Sequence, residues 1–185
     1  MLKKVLKWTL AAILAVFGLV MMTDALQDLS GTSPKSNSGS STGQPAWNTT
    51  DVNIQTNGNL PIAAEAIKSL SPAKGIPHND PAAVLKTPWE YYGQLLCYSG
   101  MVELADDYPA GSNISNALQS TEAGEVVLVH NDGTIIDVFV VGGTGNLRIG
   151  QPASLCGLPI GRLEVQNRMG GTFTHLMFVG FSAVK

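Results

Sequence analysis

Cysteine is scarce: the 185-residue chain has two, Cys97 and Cys156. Two thiols exclude a disulfide-stapled miniprotein and a four-thiolate zinc site. They stand far apart, so no C-x-x-C redox motif is present. Charged residues make up only 14% of the chain, against about 25% in an average soluble domain. A basic excess is missing: 11 Lys+Arg face 14 Asp+Glu, for a formal net charge of −3. That balance argues against nucleic acid or anionic lipid as the principal target. The chain also lacks a P-loop, a dinucleotide fingerprint, H-E-x-x-H, an EF-hand loop and G-x-S-x-G. Ser99 and Ser154 therefore have no nucleophile context, and no catalytic residue, cofactor or metal is expected. The length suits one globular domain with appendages.

The first appendage is an export signal. Lys3, Lys4 and Lys7 precede the uncharged run Trp8–Met22, and such a cationic leader holds the N-terminus in the cytoplasm while the rest is exported. Val5 and Leu6 lengthen the run, and Lys7 can snorkel towards the headgroups. Residues 1–28 are read as a signal-anchor, giving a single-pass cell-membrane protein with its C-terminal domain outside the cytoplasm. The alternative is cleavage at the small residues Thr23 and Ala25, giving a secreted protein. Residues 29–59 are rich in Ser, Thr, Gly and Asn, too polar to offset their ordering entropy, and are expected to be a flexible tether. Trp47 is its one aromatic side chain, expected to have no docking role.

Residues 60–87 are expected to form a short helical collar. In Pro61–Leu70 the side chains Ile62, Ala66 and Leu70 share a helical face. A second short helix is expected over Pro81–Lys86, with Asn79 or Asp80 as cap, Pro81 in its first turn and Pro88 ending it.

From Tyr92 the period changes to two. Leu96, Tyr98, Gly100, Val102 and Leu104 fall on one face; Leu95, Cys97, Ser99, Met101 and Glu103 fall on the other. EVVLVH and TIIDVFVVGG flank Asn131-Asp132-Gly133, a strong hairpin signal. A fourth strand covers Ala153–Val165, interrupted by Gly157, Pro159 and Gly161, and a fifth follows Gly170-Gly171. Five strands with almost no helix between them point to a small coiled barrel or sandwich over residues 88–185.

PWEYYGQLLCYSGMV, with Pro88, Tyr92, Gly93, Gln94, Gly100 and Val102, resembles the opening of OB-fold-like domains in bacterial membrane-anchored and extracytoplasmic envelope proteins. IGQPASLCGLPIG, with Gly150, Gly157 and Gly161, resembles their glycine-bearing fourth strand, although Gln151 stands where an acidic residue is usual. RLEVQNRMGGTFTHLMFVGFSAV resembles their closing pair. The resemblance covers about the last hundred residues and implies a five-stranded Greek-key barrel. It also implies a ligand surface on the second and third strands and on the loops at Ala105–Ala123 and Gly142–Gly150, with Tyr98, Phe139 and Arg148 as contact residues. In that fold the first and fourth strands are antiparallel neighbours, so Cys97 and Cys156 either form a disulfide or remain two independent thiols.

The other polar residues are read conservatively. His78 and His130 each open a His-Asn-Asp triplet, and both triplets read as ordinary cap and turn chemistry that recurs by coincidence. His175 reads as a strand residue near a rim. Glu103, Asp106 and Asp107 read as a solvated loop face. From Leu60 onward seven basic residues stand against eleven acidic ones, a thin basis for a nucleic-acid groove. The expected function is a non-enzymatic, membrane-tethered binding module for a protein partner or envelope polymer. The alternatives are a structural subunit of an envelope or secretion assembly and a secreted single-strand-binding protein.

Overall fold

A computed structural model describes residues 46–167 and 170–181. The expected signal-anchor and residues 29–45 of the expected tether lie outside them. Among the described residues no helix is long and apolar enough to cross a membrane. The protein is mainly β. Its elements run α1 (Asn59–Ile67), β1 (Ile76–Pro77), α2 (Pro81–Lys86), β2 (Leu96–Tyr108), α3 (Asn113–Ala117), β3 (Ala123–Val129), β4 (Ile135–Val141), β5 (Pro152–Gln166) and β6 (Thr172–Phe181). Single 3-10 turns lie at Pro72–Lys74 and Pro88–Glu90.

The strands form one mixed sheet in the order β1-β2-β3-β4-β6-β5, and β5 pairs back onto β2. β1–β2 and β4–β6 are parallel, and the other pairs are antiparallel. β2 has 13 residues because it serves two neighbours. Leu96–Met101 pair with β5, and Met101–Tyr108 pair with β3 across a register shift between Val102 and Leu104. Such a shift bends a strand and increases its twist. Gly100 lies just before the bend, where a Cβ would sit 2.7 Å from the Val129 carbonyl oxygen, so only glycine allows the strands this close. The β3–β4 hairpin turns at Asn131-Asp132-Gly133. Gly133 has φ 87°, and the Asp132 carboxylate accepts the Thr134 N–H at 2.8 Å.

Alternation separates two apolar layers. Inside the ring lie Leu96, Tyr98, Val126, Leu128, Val138 and Phe178, joined by Val84 from α2 and Leu147 from the β4–β5 loop. Outside it, Ala63, Ala64 and Ile67 of α1 pack with Leu118, Leu158, Ile160, Met177 and Val179. Each fully buried Leu, Ile or Phe contributes roughly 1.5–3 kcal/mol. The expected collar face was Ile62, Ala66 and Leu70, but the helix is rotated: its buried residues are Asn59, Ala63, Ala64 and Ile67. Two alanines let the helix axis lie close to the sheet. α2 starts at Pro81, with the Asp80 carboxylate accepting the Ala83 N–H.

Three elements depart from the sequence expectations. β1 is a sixth strand, two residues long, where five were expected. The loop after β2 holds α3, capped by the Ser112 hydroxyl. Residues 46–58, expected in the tether, pack on the sheet. Trp47 stacks on Tyr92 with centroids 5.4 Å apart, and Asn53 bridges to Arg162. Polar composition misled here because these asparagines bond to the main chain rather than to solvent. β5 carries a register shift between Pro159 and Gly161, and the Ile160 carbonyl is taken by the Asn57 side-chain amide at 2.8 Å.

Candidate functional site

The β2–β5 ladder builds the site. Val102 N–H donates to the Gln151 carbonyl, which fixes Val102 as a hydrogen-bonding position towards β5. Peptide groups alternate sides along a strand, so Tyr98 and Gly100 also face β5, and Cys97 and Ser99 face away from it. At such non-bonded positions cross-strand side chains come closest. Cys97 is paired with Cys156 and joined to it by a disulfide. Ser99 is paired with Ser154, their hydroxyls 2.5 Å apart. On the other side of β2, His78 N–H donates to the Cys97 carbonyl at 3.0 Å.

Beside this ladder lie two adjoining cavities that share Ser99, Asn131 and Ser154. One, of about 390 Å³, is walled by the cystine, His78, Asn79 and His130. The other, of about 550 Å³, continues past Met101, Leu147 and Pro152. The two His-Asn-Asp triplets, which read as a coincidence in sequence, therefore meet: the first two residues of each line one cavity. Neither cavity is lined by Asp, Glu, Lys, Arg, Trp, Tyr or Phe. The lining offers hydroxyls, side-chain amides and imidazoles among small apolar groups, an arrangement suited to an uncharged polar ligand.

The histidines are held from behind. The Tyr98 hydroxyl lies 3.0 Å from His78 Nδ1, and the Asp80 N–H approaches the same nitrogen at 3.4 Å. A main-chain N–H can only donate, so towards Asp80 the Nδ1 atom is the acceptor. His130 Nδ1 lies 3.0 Å from Asp132 Oδ1. Tyr98 is edge-on to both rings and to Phe178, and burial raises its phenol above the usual range. Tyr98, expected as a ligand contact, is 3% exposed, on the inward face of β2 and behind His78.

The outer face of β3–β4, expected to bind ligand, is carboxylate-rich. Tyr108 donates its hydroxyl to Glu125, and Glu125 also meets Asp137. Asp137 Oδ2 lies 3.1 Å from His175 Nδ1. Burial, together with the Asp137 charge, pushes the Glu125 carboxyl above its ordinary range. The His175 ring is 14% exposed and the Asp137 side chain 4%, so this row is packed rather than an open groove. Phe139 is half-buried in the outer apolar layer. Arg148 is exposed on the β4–β5 loop and donates to the Leu147 carbonyl beside it. Tyr98, Phe139 and Arg148 thus occupy three separate settings. Asp106 and Asp107 belong to β2, and Asp107 Oδ1 accepts the Thr144 N–H at 2.7 Å.

Sequence reasoning missed Glu125, Asp137, Asn79 and Asn131. The repeated triplet was the one available signal for the two asparagines. Among the described residues no group of three or more His, Cys, Asp or Glu is arranged to hold a metal ion. Comparison with family models, curated proteins and solved structures finds no match to this chain.

Proposed function

We propose that this chain is a membrane-tethered, extracytoplasmic binding module on an OB-fold-like Greek-key barrel, recognising a protein partner or envelope polymer without catalysis. Five of its strands follow the order β2-β3-β4-β6-β5-β2 with β4 and β6 parallel, which is the connectivity of that barrel type, and β1 is an addition to it. The disulfide between Cys97 and Cys156 carries the reading. It joins the two strands whose pairing closes the ring, disulfides persist in oxidising compartments, and the lysine-led apolar run at Trp8–Met22 is of the kind that delivers a domain there. The uncharged cleft beside the disulfide supports binding over chemistry. From Leu60 onward eleven acidic residues stand against seven basic ones, which disfavours a nucleic-acid strand and favours a protein or neutral polymer.

The test uses the full chain with a C-terminal tag in intact cells. External protease is expected to remove the tag from a membrane-fraction protein, and short-range crosslinking is expected to trap a specific partner. A tag that stays protected until lysis overturns the reading.

A further inference from the structure

The β2 strand has a gap along the edge that faces away from β5. At one end β1 covers it, with His78 N–H on the Cys97 carbonyl. At the other end β3 begins, with Val129 opposite Met101. Ser99 lies between them. Its peptide N–H and C=O point to the same side as those of Cys97, by the alternation that Val102 and Gln151 fix. Among the described residues nothing bonds to either group, and Ser99 is exposed. His78, Asn79, His130 and Asn131 border this gap and line the smaller of the two cavities, which reaches from Ser99 across to Ser154 and Cys156 of β5.

We propose that the gap at Ser99 is a docking slot for an extended segment of a partner polypeptide, which pairs main chain to main chain with Ser99. This deepens, and rests on, the reading of the chain as a binding module. A single N–H and C=O presented side by side on a strand edge match the two groups of one residue in an added strand. The slot admits about three residues between the end of β1 and the start of β3, at ~3.3 Å per residue. Asn79 and Asn131 stand at its rims to bond the segment's remaining peptide groups. With no charged residue in the walls, the inserted side chains are uncharged. Sugar rings usually stack on aromatic faces, and neither cavity has Trp, Tyr or Phe in its lining, so polypeptide is favoured over glycan.

The first measurement is amide hydrogen exchange on the purified protein. The Ser99 amide is expected to exchange about a hundredfold faster than those of Tyr98 and Gly100, which bond to β5. A Ser99 amide as protected as its neighbours overturns the slot while leaving the binding-module reading intact. The second places a photo-crosslinking amino acid at position 131 of the full chain in cells, in parent, Ser99→Ala and Ser99→Pro backgrounds. Ser99→Ala keeps the N–H and is expected to give protease-sensitive adducts at the parental level. Ser99→Pro removes a donor that the β2–β5 ladder does not use, and is expected to lower capture about tenfold with the disulfide still formed. Equal capture by both variants, or adducts removed by glycosidase and resistant to protease, overturns the proposal. Should Ser99→Pro fail to fold, linear peptides selected from a displayed random library on the parent protein supply the readout. Binding that protects the Ser99 amide supports the slot; binding that leaves it unprotected overturns it.

Discussion

The Asn57 side-chain amide donates to the Ile160 carbonyl, 103 residues away, at 2.8 Å. That carbonyl lies at the register shift in β5, where the ladder to β6 is interrupted. The Asn57 carboxamide oxygen also accepts the Asn59 N–H, so one buried residue ties the incoming segment, the start of α1 and the bulge together. Asn57→Ala is expected to cost about 1–3 kcal/mol, because it leaves the buried Ile160 carbonyl only the longer contact from the Asn59 side-chain amide, at 3.5 Å, and takes the acceptor from the buried Asn59 N–H. The check is urea unfolding: a lower midpoint with an unchanged slope.

Gly100→Val places a Cβ 2.7 Å from the Val129 carbonyl oxygen, and backbone cannot yield as a flexible side chain does. Overpacking of this kind costs about 1–3 kcal/mol. Thermal melting of the variant at the parental temperature would contradict the close β2–β3 crossing described above.

The cystine closes a loop with a sequence separation of 59. In the loop-entropy account this stabilises the domain by about 4 kcal/mol. The double variant Cys97→Ser with Cys156→Ser is expected to melt roughly 10 °C lower, and reductant is expected to move the parent but not the variant. Thiol mapping of the parent under non-reducing conditions gives an independent check.

The Glu125 carboxyl faces Tyr108 and Asp106 from β2 and Asp137 from β4, with His175 of β6 bonded to Asp137. Its folded pKa lies above the ordinary 4.5, so across that interval the folded state holds more protons than the unfolded chain. Stability from this group is therefore present at acid pH and declines as pH rises from about the unfolded value through the folded one. Glu125→Gln keeps an acceptor for Tyr108 and removes the buried charge. It is expected to raise stability at neutral pH and flatten the decline above pH 4.5, measured by chemical unfolding across pH; an unchanged pH profile would count against the buried carboxyl pair.

Much of the sheet was legible in the sequence because its signals are local. The alternation from Leu96 to Val102 fixed the inward face of β2, Asn131-Asp132-Gly133 announced its hairpin, and Asp80-Pro81 marked a helix start. The missing parts depend on distant partners. β1 is two residues with a proline and no period to detect. Residues 46–58 look solvated, yet the amides of Asn57 and Asn59 serve β5. Glu125, Asp137 and His175 come from three strands, and their meeting follows from register alone. His78 and His130 share a cavity only because β1 and the β3–β4 turn flank the same stretch of β2.

Among the described residues β6 comes after β5 in chain order, yet it lies between β4 and β5. Until residues 172–181 are available, β4 and β5 each lack the neighbour that joins them. A polypeptide lacking that segment is therefore an open curl with two unsatisfied borders. Cooperative closure of the sheet must therefore wait for residues 172–181, although the β3–β4 hairpin can form without them.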